Sequence, residues 1–309
     1  MKAVSEVNSM SITKPNFSVL DYLVLMKPEL TGLSVLTTLC GYYLASQGPI
    51  DPVHFILVAL GTTFIGGGLG ALNQYIERHY DAMMRRTERR PLPSGRMEPA
   101  AAFWFGLIML LAGNALMFSV ANITTEIIAL TISGVYLFLY TPLKRVTSWS
   151  TIIGGIPGAL PPVMGWTAAG GDLSAAAWIL FAILFFWQIP HFYALAWMYR
   201  KDYARAGFEM LSVKDELGSR ISIETVICIG VLILSSLGLY VVGVAGWQYS
   251  VAATVCGLLF LAYGLLFYRF SGQSAEASIV KLNQVSRRLF FASLWYLPIL
   301  MFFMIIDKL

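Results

Sequence analysis

Long apolar runs alternate with short polar segments along nearly the whole chain. Nine runs can be marked, at about 28–46, 53–75, 101–120, 124–140, 150–168, 175–197, 222–243, 248–268 and 289–306. A hydrocarbon layer about 30 Å thick is crossed by roughly 20 apolar residues in helical form. Lipid offers no water to open backbone groups, so helices that satisfy their own hydrogen bonds are the expected form. The pattern predicts an all-α, polytopic membrane protein of about nine transmembrane helices. The fourth and fifth runs are on the short side for a span. The chain reads as a single domain, 1–309, with residues 1–20 as a polar tail.

The polar segments are not alike. Lys2, Lys14 and Lys27 precede the first run, and Arg78, Arg85, Arg86, Arg89, Arg90 and Arg96 follow the second. Lys144 and Arg145 follow the fourth; Arg200, Lys201, Arg205, Lys214 and Arg220 follow the sixth; Arg269, Lys281, Arg287 and Arg288 precede the ninth. Of the 21 Lys and Arg, only Lys308 lies elsewhere, at the C-terminus, and the other four loops hold none. By the positive-inside rule the N-terminus and the basic loops are cytoplasmic and the C-terminus lies outside. Composition agrees, with 57% hydrophobic and 12% charged residues. That is too little charge to cover a water-soluble fold, which carries about 25%. The tail has neither the basic start and apolar core of a secretory signal nor the arginines of a transit peptide, so a bacterial plasma (inner) membrane is the simplest expectation. Cys40, Cys228 and Cys256 all lie in apolar runs without metal-ligand spacing and read as buried thiols.

Topology explains the basic loops but not the acids beside them. After the second run, Asn73, Glu77, Asp81 and Arg85 recur every four residues. On a helix they form one drifting stripe that rises about 6 Å per step. Two carboxylates and an amide oxygen on one face suit a hard cation such as Mg²⁺, which keeps water and phosphate oxygens in its shell. The arginines that follow suit phosphate oxygens. The competing reading is a helix end whose charges merely pair in the headgroup region. Ionisable residues at the edge of a span weigh towards function.

Two further segments place polar groups at the same edge. The sixth run ends in Pro190-His191-Phe192 and continues to Arg200-Lys201-Asp202-Tyr203-Ala204-Arg205. Asp202 suits a cation site facing Asp81, and Lys201 and Arg205 suit a diphosphate. His191 lies about two turns deeper, either as a hydrogen-bonded core residue or in contact with a substrate. The fourth run ends in Tyr140-Thr141-Pro142-Leu143-Lys144-Arg145, whose two cations are further phosphate candidates. The next run holds Gly154-Gly155 and Pro157-Gly158-Ala159-Leu160-Pro161-Pro162, which can break a span and admit a close neighbour or a flat ligand.

These residues resemble the UbiA superfamily of intramembrane prenyltransferases. The likeness runs from Tyr22–Pro28 to Ser293–Tyr296. It is most specific in the Asn73–Asp81 stripe with Arg86-Thr87 and Arg90-Pro91-Leu92. The Pro-His-Phe and Asp202-Tyr203 segments resemble the branch of that superfamily that acts on haem. Three positions depart from the pattern: Glu77 in place of Asp, Ser150 in place of Asn, and Glu209 in place of Pro.

The resemblance implies a helical bundle around a central cavity, with farnesyl diphosphate and haem b as substrates and the lipid bilayer as surroundings. It implies Mg²⁺ held by Asn73, Glu77, Asp81 and Asp202 as the catalytic set. Arg85, Arg86, Lys144, Arg145 and Lys201 would bind diphosphate, and His191 would bind haem. A haem A synthase or a terminal oxidase is implied as a partner, and no nucleic acid. Rival expectations are a related enzyme acting on a quinone precursor or a chlorophyll-type acceptor, a transporter, and a non-catalytic haem carrier. A transporter would place its polar site near the midplane in repeated halves; here the acids sit at one edge.

Overall fold

A computed structural model describes residues 18–309, so Lys2, Lys14 and most of the expected polar tail lie outside the described residues. The chain begins with α1 (Val19–Leu25), α2 (Pro28–Ala45), α3 (Pro52–Asp81), α4 (Pro99–Val120) and α5 (Ile123–Gly134), with a long polar segment, 82–98, between α3 and α4. A π-helical turn (Val135–Tyr140) joins α5 to α6 (Thr141–Leu143). Then come α7 (Ser150–Ala159), α8 (Pro161–Ala168), α9 (Ala175–Met198), α10 (Arg200–Arg205) and α11 (Leu211–Lys214). The chain closes with α12 (Ser219–Val241), α13 (Trp247–Phe270) and α14 (Glu276–Ile306). Among the described residues there is no strand, only an isolated bridge between Ala245 and Lys308.

The local chemistry explains the ends. Asp51 caps α3 by accepting from the Val53 N–H, with Pro52 at the first helical position, where no N–H is needed. Asn122 caps α5 in the same way through the Thr125 N–H. Pro28 ends α1, since the residue before a proline is driven out of the helical region. That residue, Lys27, has φ +50°, the only non-glycine with positive φ among the described residues.

All nine apolar runs are helical. Seven helices are each long and apolar enough to cross a membrane, the π-helical turn lying inside one of them, Ile123–Leu143. The first run qualifies as an eighth span only together with α1, across a bend of 57°. The short fifth run is broken: α7 and α8 meet at Leu160, ahead of Pro161 and Pro162. Trp104, Ile108, Leu111, Leu234 and Leu258 stand exposed on the outer helices, as a multi-pass protein in lipid requires.

Inside the bundle α3 packs on α4, α2 on α8, and α9 on α12 and α14. The α2–α8 contact is close enough to need glycine. A Cβ on Gly165 would overlap the Thr38 carbonyl oxygen, and one on Gly41 the Pro162 carbonyl. Helix association within lipid rests on such backbone approach, because apolar side chains gain nothing by leaving one hydrocarbon for another. One apolar core joins α9 to α12, α13 and α14; a second joins α2, α3, α5 and α8. A cavity of about 230 Å³ lies among α2, α3, the π-helical turn, α7, α8 and α9.

Gly165→Ala is expected to lower the yield of monodisperse detergent-solubilised protein and its unfolding temperature, at a cost of about 1–3 kcal/mol. Gly230→Ala, where no atom lies within reach of a new Cβ, is the control and should behave as the unsubstituted chain.

Candidate active site

Next to the cavity, beyond its wall at Lys27, α3 finishes in Asn73, Glu77 and Asp81, which are 0%, 6% and 1% exposed. Buried charge in a low-dielectric interior has to be paired, and each of these groups is. Lys144 Nζ donates to Glu77 Oε1 at 2.8 Å, and Arg90 Nη1 donates to Asp81 Oδ2 at 2.7 Å. Lys27 Nζ donates to Asn73 Oδ1 at 2.5 Å, and the Asn73 amide donates to Thr141 Oγ1 at 3.1 Å. Two carboxylates therefore meet three cations. The surplus positive charge faces the cavity, whose wall includes Lys27.

Lys27 was assigned only a topological role by the sequence reading. Its left-handed backbone, costly for a non-glycine residue, is held from three sides. Gln74 Nε2 donates to the carbonyls of Val24 and Leu25 at 2.9 and 3.1 Å, and Thr31 Oγ1 donates to that of Met26 at 2.7 Å. The Leu25 and Met26 carbonyls lose their helical partners at the break between α1 and α2, while that of Val24 also accepts from the Lys27 N–H at 3.2 Å. Gly70 lets them approach: a Cβ there would lie 2.9 Å from the Leu25 oxygen. Arg90, one of the arginines expected to suit phosphate oxygens, pairs with Asp81 instead, and Thr141 enters the site through Asn73. A lysine before a proline at the start of a span was the available signal for Lys27.

The π-helical turn shapes the same region. The rings of Tyr136 and Tyr140 pack at a tilt of 45° with centroids 5.4 Å apart, and both line the cavity. Lys144 lies 4.4 Å from the Tyr140 ring centre. The Tyr140 ring occupies the space a side chain on residue 154 would need, which is one use of the glycine pair in α7. Such π turns concentrate at functional sites.

The other expected phosphate ligands sit further out. Arg145 lies over the Tyr80 ring at 4.3 Å. Arg86 donates weakly to the Tyr203 hydroxyl at 3.4 Å and lies over Tyr199 at 5.3 Å. Burial pushes the Tyr203 phenol up, against the pull of nearby Arg86. Arg85 and Lys201 are exposed. Asp202, mostly buried, pairs with Arg205 at 3.3 Å. Tyr80, Met84, Tyr203 and Phe208 share an apolar cluster, so α10 packs against the segment that follows α3.

The four-residue metal set is not gathered as the sequence reading expected. Among the described residues no three His, Cys, Asp or Glu side chains converge on one point. Each carboxylate instead faces a cation of its own, because a buried acid without one would be left uncompensated. The donor chemistry still suits Mg²⁺. Asn73, Glu77 and Asp81 offer hard oxygens on one stripe, few enough that phosphate and water must complete the shell.

The cavity wall also includes Trp187, His191 and Phe192 of α9. His191 is stacked against Trp187 and Phe290, with centroids 5.2 and 4.8 Å away and rings tilted by 20° and 28°. The remaining walls are mostly apolar, including Leu30, Leu33, Ile65, Leu69, Ile132 and Met164. One slot thus carries a basic, an apolar and an aromatic wall.

Comparison with known proteins places this geometry. The family model described as the UbiA prenyltransferase family matches residues 34–305. A protein of Opitutus terrae named protoheme IX farnesyltransferase is 42% identical over 289 residues, covering 94% of this chain and 95% of that one. A human protein named protoheme IX farnesyltransferase, mitochondrial, is 38% identical over 285 residues, 92% of this chain and 61% of its own length. Among solved structures, one of digeranylgeranylglyceryl phosphate synthase superposes with a TM-score of 0.75 at 20% identity, covering 93% of this chain and 98% of that one. A UbiA homolog of Archaeoglobus fulgidus, bound to GPP and Mg²⁺, gives 0.62 at 15% identity, covering 90% and 99%.

Lys144→Met should destabilise the protein by about 3–5 kcal/mol, since it strands buried Glu77. The double variant Lys144→Met/Glu77→Leu should recover much of that loss. Thermal unfolding of both variants in one detergent checks the sign of the coupling.

Proposed function

From the premise that the chain belongs to the UbiA prenyltransferase family, we propose that it transfers the farnesyl group of farnesyl diphosphate to a vinyl group of haem b, giving haem O and diphosphate. The observation that carries the reading is the slot itself. One cavity is lined by both the basic side chain of Lys27 and the aromatic-flanked imidazole of His191.

The chain's residues divide the work. Lys27, Lys144 and Arg90 form the fixed positive field at the closed end of α3, and Arg86 and Arg145 stand at its rim with exposed Arg85 and Lys201. When diphosphate enters, these cations stabilise charge that grows as the allylic C–O bond breaks. Asn73, Glu77 and Asp81, with Asp202 from α10, would hold Mg²⁺, which supplies Lewis-acid neutralisation of the leaving group when bound. Leu30, Ile65, Leu69 and Met164 bury the isoprenoid chain and exclude water from the farnesyl cation. The haem vinyl attacks C1 of that cation. Water then adds to the resulting benzylic-type carbon and loses a proton, so a farnesyl and a hydroxyl group are added across the vinyl. His191 binds the haem.

The charge asymmetry supports a bacterial inner membrane location with the basic loops and N-terminus cytoplasmic and the C-terminus outside. Diphosphate would then arrive from the cytoplasm and the product would leave within the bilayer, towards a haem A synthase or a terminal oxidase. A quinone-precursor acceptor, which holds no metal, would not call for an aromatic-flanked imidazole at the acceptor site.

Membranes supplied with haem b, farnesyl diphosphate and Mg²⁺ should yield a pigment whose mass shows one farnesyl and one hydroxyl added. Asp81→Ala, at matched protein level, should lower the rate at least 100-fold; near-normal haem O production would remove Asp81 from the machinery. Lys27→Met should raise the KM for farnesyl diphosphate about tenfold while leaving that for haem b unchanged.

A further inference from the structure

Residue 293 of α14 holds two side chains of α9 at once. Its carbonyl accepts from Trp187 Nε1 at 2.8 Å, and its hydroxyl oxygen lies 2.8 Å from His191 Nδ1. The hydroxyl also lies 2.5 Å from the Phe290 carbonyl oxygen. Two oxygens at that distance need a proton between them, and only Ser293 has one to give. The Ser293 hydroxyl is thereby spent as a donor. Towards His191 it can only accept, so the proton of the neutral imidazole sits on Nδ1.

The consequence falls on the other nitrogen. Nε2, on the far side of the ring, carries a lone pair and makes no hydrogen bond among the described residues. The ring cannot tip freely: Trp187 and Phe290 flank it, and Trp187 is anchored to the same serine. Ser293 is fully buried, so water does not compete for its hydroxyl. An imidazole with its Nδ1–H held by a second group and its Nε2 free is the arrangement in which histidine ligates a metal.

We infer that His191 Nε2 takes the iron of the macrocycle as an axial ligand, and that Ser293 is the positioning residue that fixes the tautomer for it. The inference rests on the haem reading above and deepens it: the acceptor is recognised through its metal as well as its shape. Iron ligation at the aromatic wall would pin the flat ring at one point and leave its edge turned to the isoprenoid.

The test titrates ferric haem b and metal-free protoporphyrin IX into the full chain in nanodiscs, with resonance Raman of the ferrous haem complex reading the iron–histidine stretch. The unsubstituted chain should bind haem with that stretch, and protoporphyrin about tenfold more weakly. His191→Ala should lose the stretch and bind both pigments alike. Ser293→Ala should weaken haem binding about tenfold and shift or broaden the stretch, with no change for protoporphyrin or farnesyl diphosphate. Ser293→Thr, which keeps the hydroxyl, should restore it. Haem binding without an iron–histidine stretch in the unsubstituted chain would overturn this inference and leave the acceptor reading intact. A Ser293→Ala chain with an unchanged stretch and affinity would overturn the positioning role. Equal loss of haem, protoporphyrin and farnesyl diphosphate binding in Ser293→Ala would overturn it too, as the mark of a packing defect. No haem binding by the unsubstituted chain would overturn both readings.

Discussion

A charge buried in a bundle that itself sits in hydrocarbon must find an opposite charge or a dense set of dipoles. The end of α3 is organised by that demand. Glu77 takes Lys144 from beyond α6, Asp81 takes Arg90 from the following segment, and Asn73 takes Lys27 from the α1–α2 corner. Each partner arrives from a different stretch of chain, so satisfying the acids also ties those stretches together. The left-handed Lys27, the π-helical turn and the glycine-lined faces are the backbone means by which the partners reach. The count of basic side chains exceeds that of carboxylates, which suits the anionic end of the proposed substrate.

That arrangement is well suited to ionising a diphosphate ester. The field that the leaving group needs exists before it arrives, at a point where water is scarce and electrostatic interactions are strong. The apolar wall of the cavity then does the opposite work, offering a cation nothing to react with until the acceptor vinyl is in place. A single slot can hold both environments because α3 carries its charged residues only in its last turns and mostly small or apolar residues before them.

The acceptor site depends on packing between α9 and α14 rather than on charge. Pro190 lies within α9 and Pro298 within α14, and between these helices Ser293 meets Trp187 and His191. This contact joins the larger apolar core, built on α9 and α12–α14, to the wall of the cavity. The proposed acceptor site and the core of the second half of the bundle thus share one interface.

Much of this was legible along the chain. Runs of apolar residues located every span, because crossing a bilayer leaves few alternatives to a helix. Four-residue spacing put Asn73, Glu77 and Asp81 on one face, because helical periodicity is local. Pro161 and Pro162 foretold the broken fifth span. What the linear order did not contain was partnership. Lys27 and Asn73 are 46 residues apart, Glu77 and Lys144 are 67 apart, and His191 and Ser293 are 102 apart. Whether an acid meets a metal, a lysine or another acid depends on which helices become neighbours, and that is decided by packing across the bundle. Periodicity therefore determined which residues share a face, and only the tertiary structure decided what each face looks at.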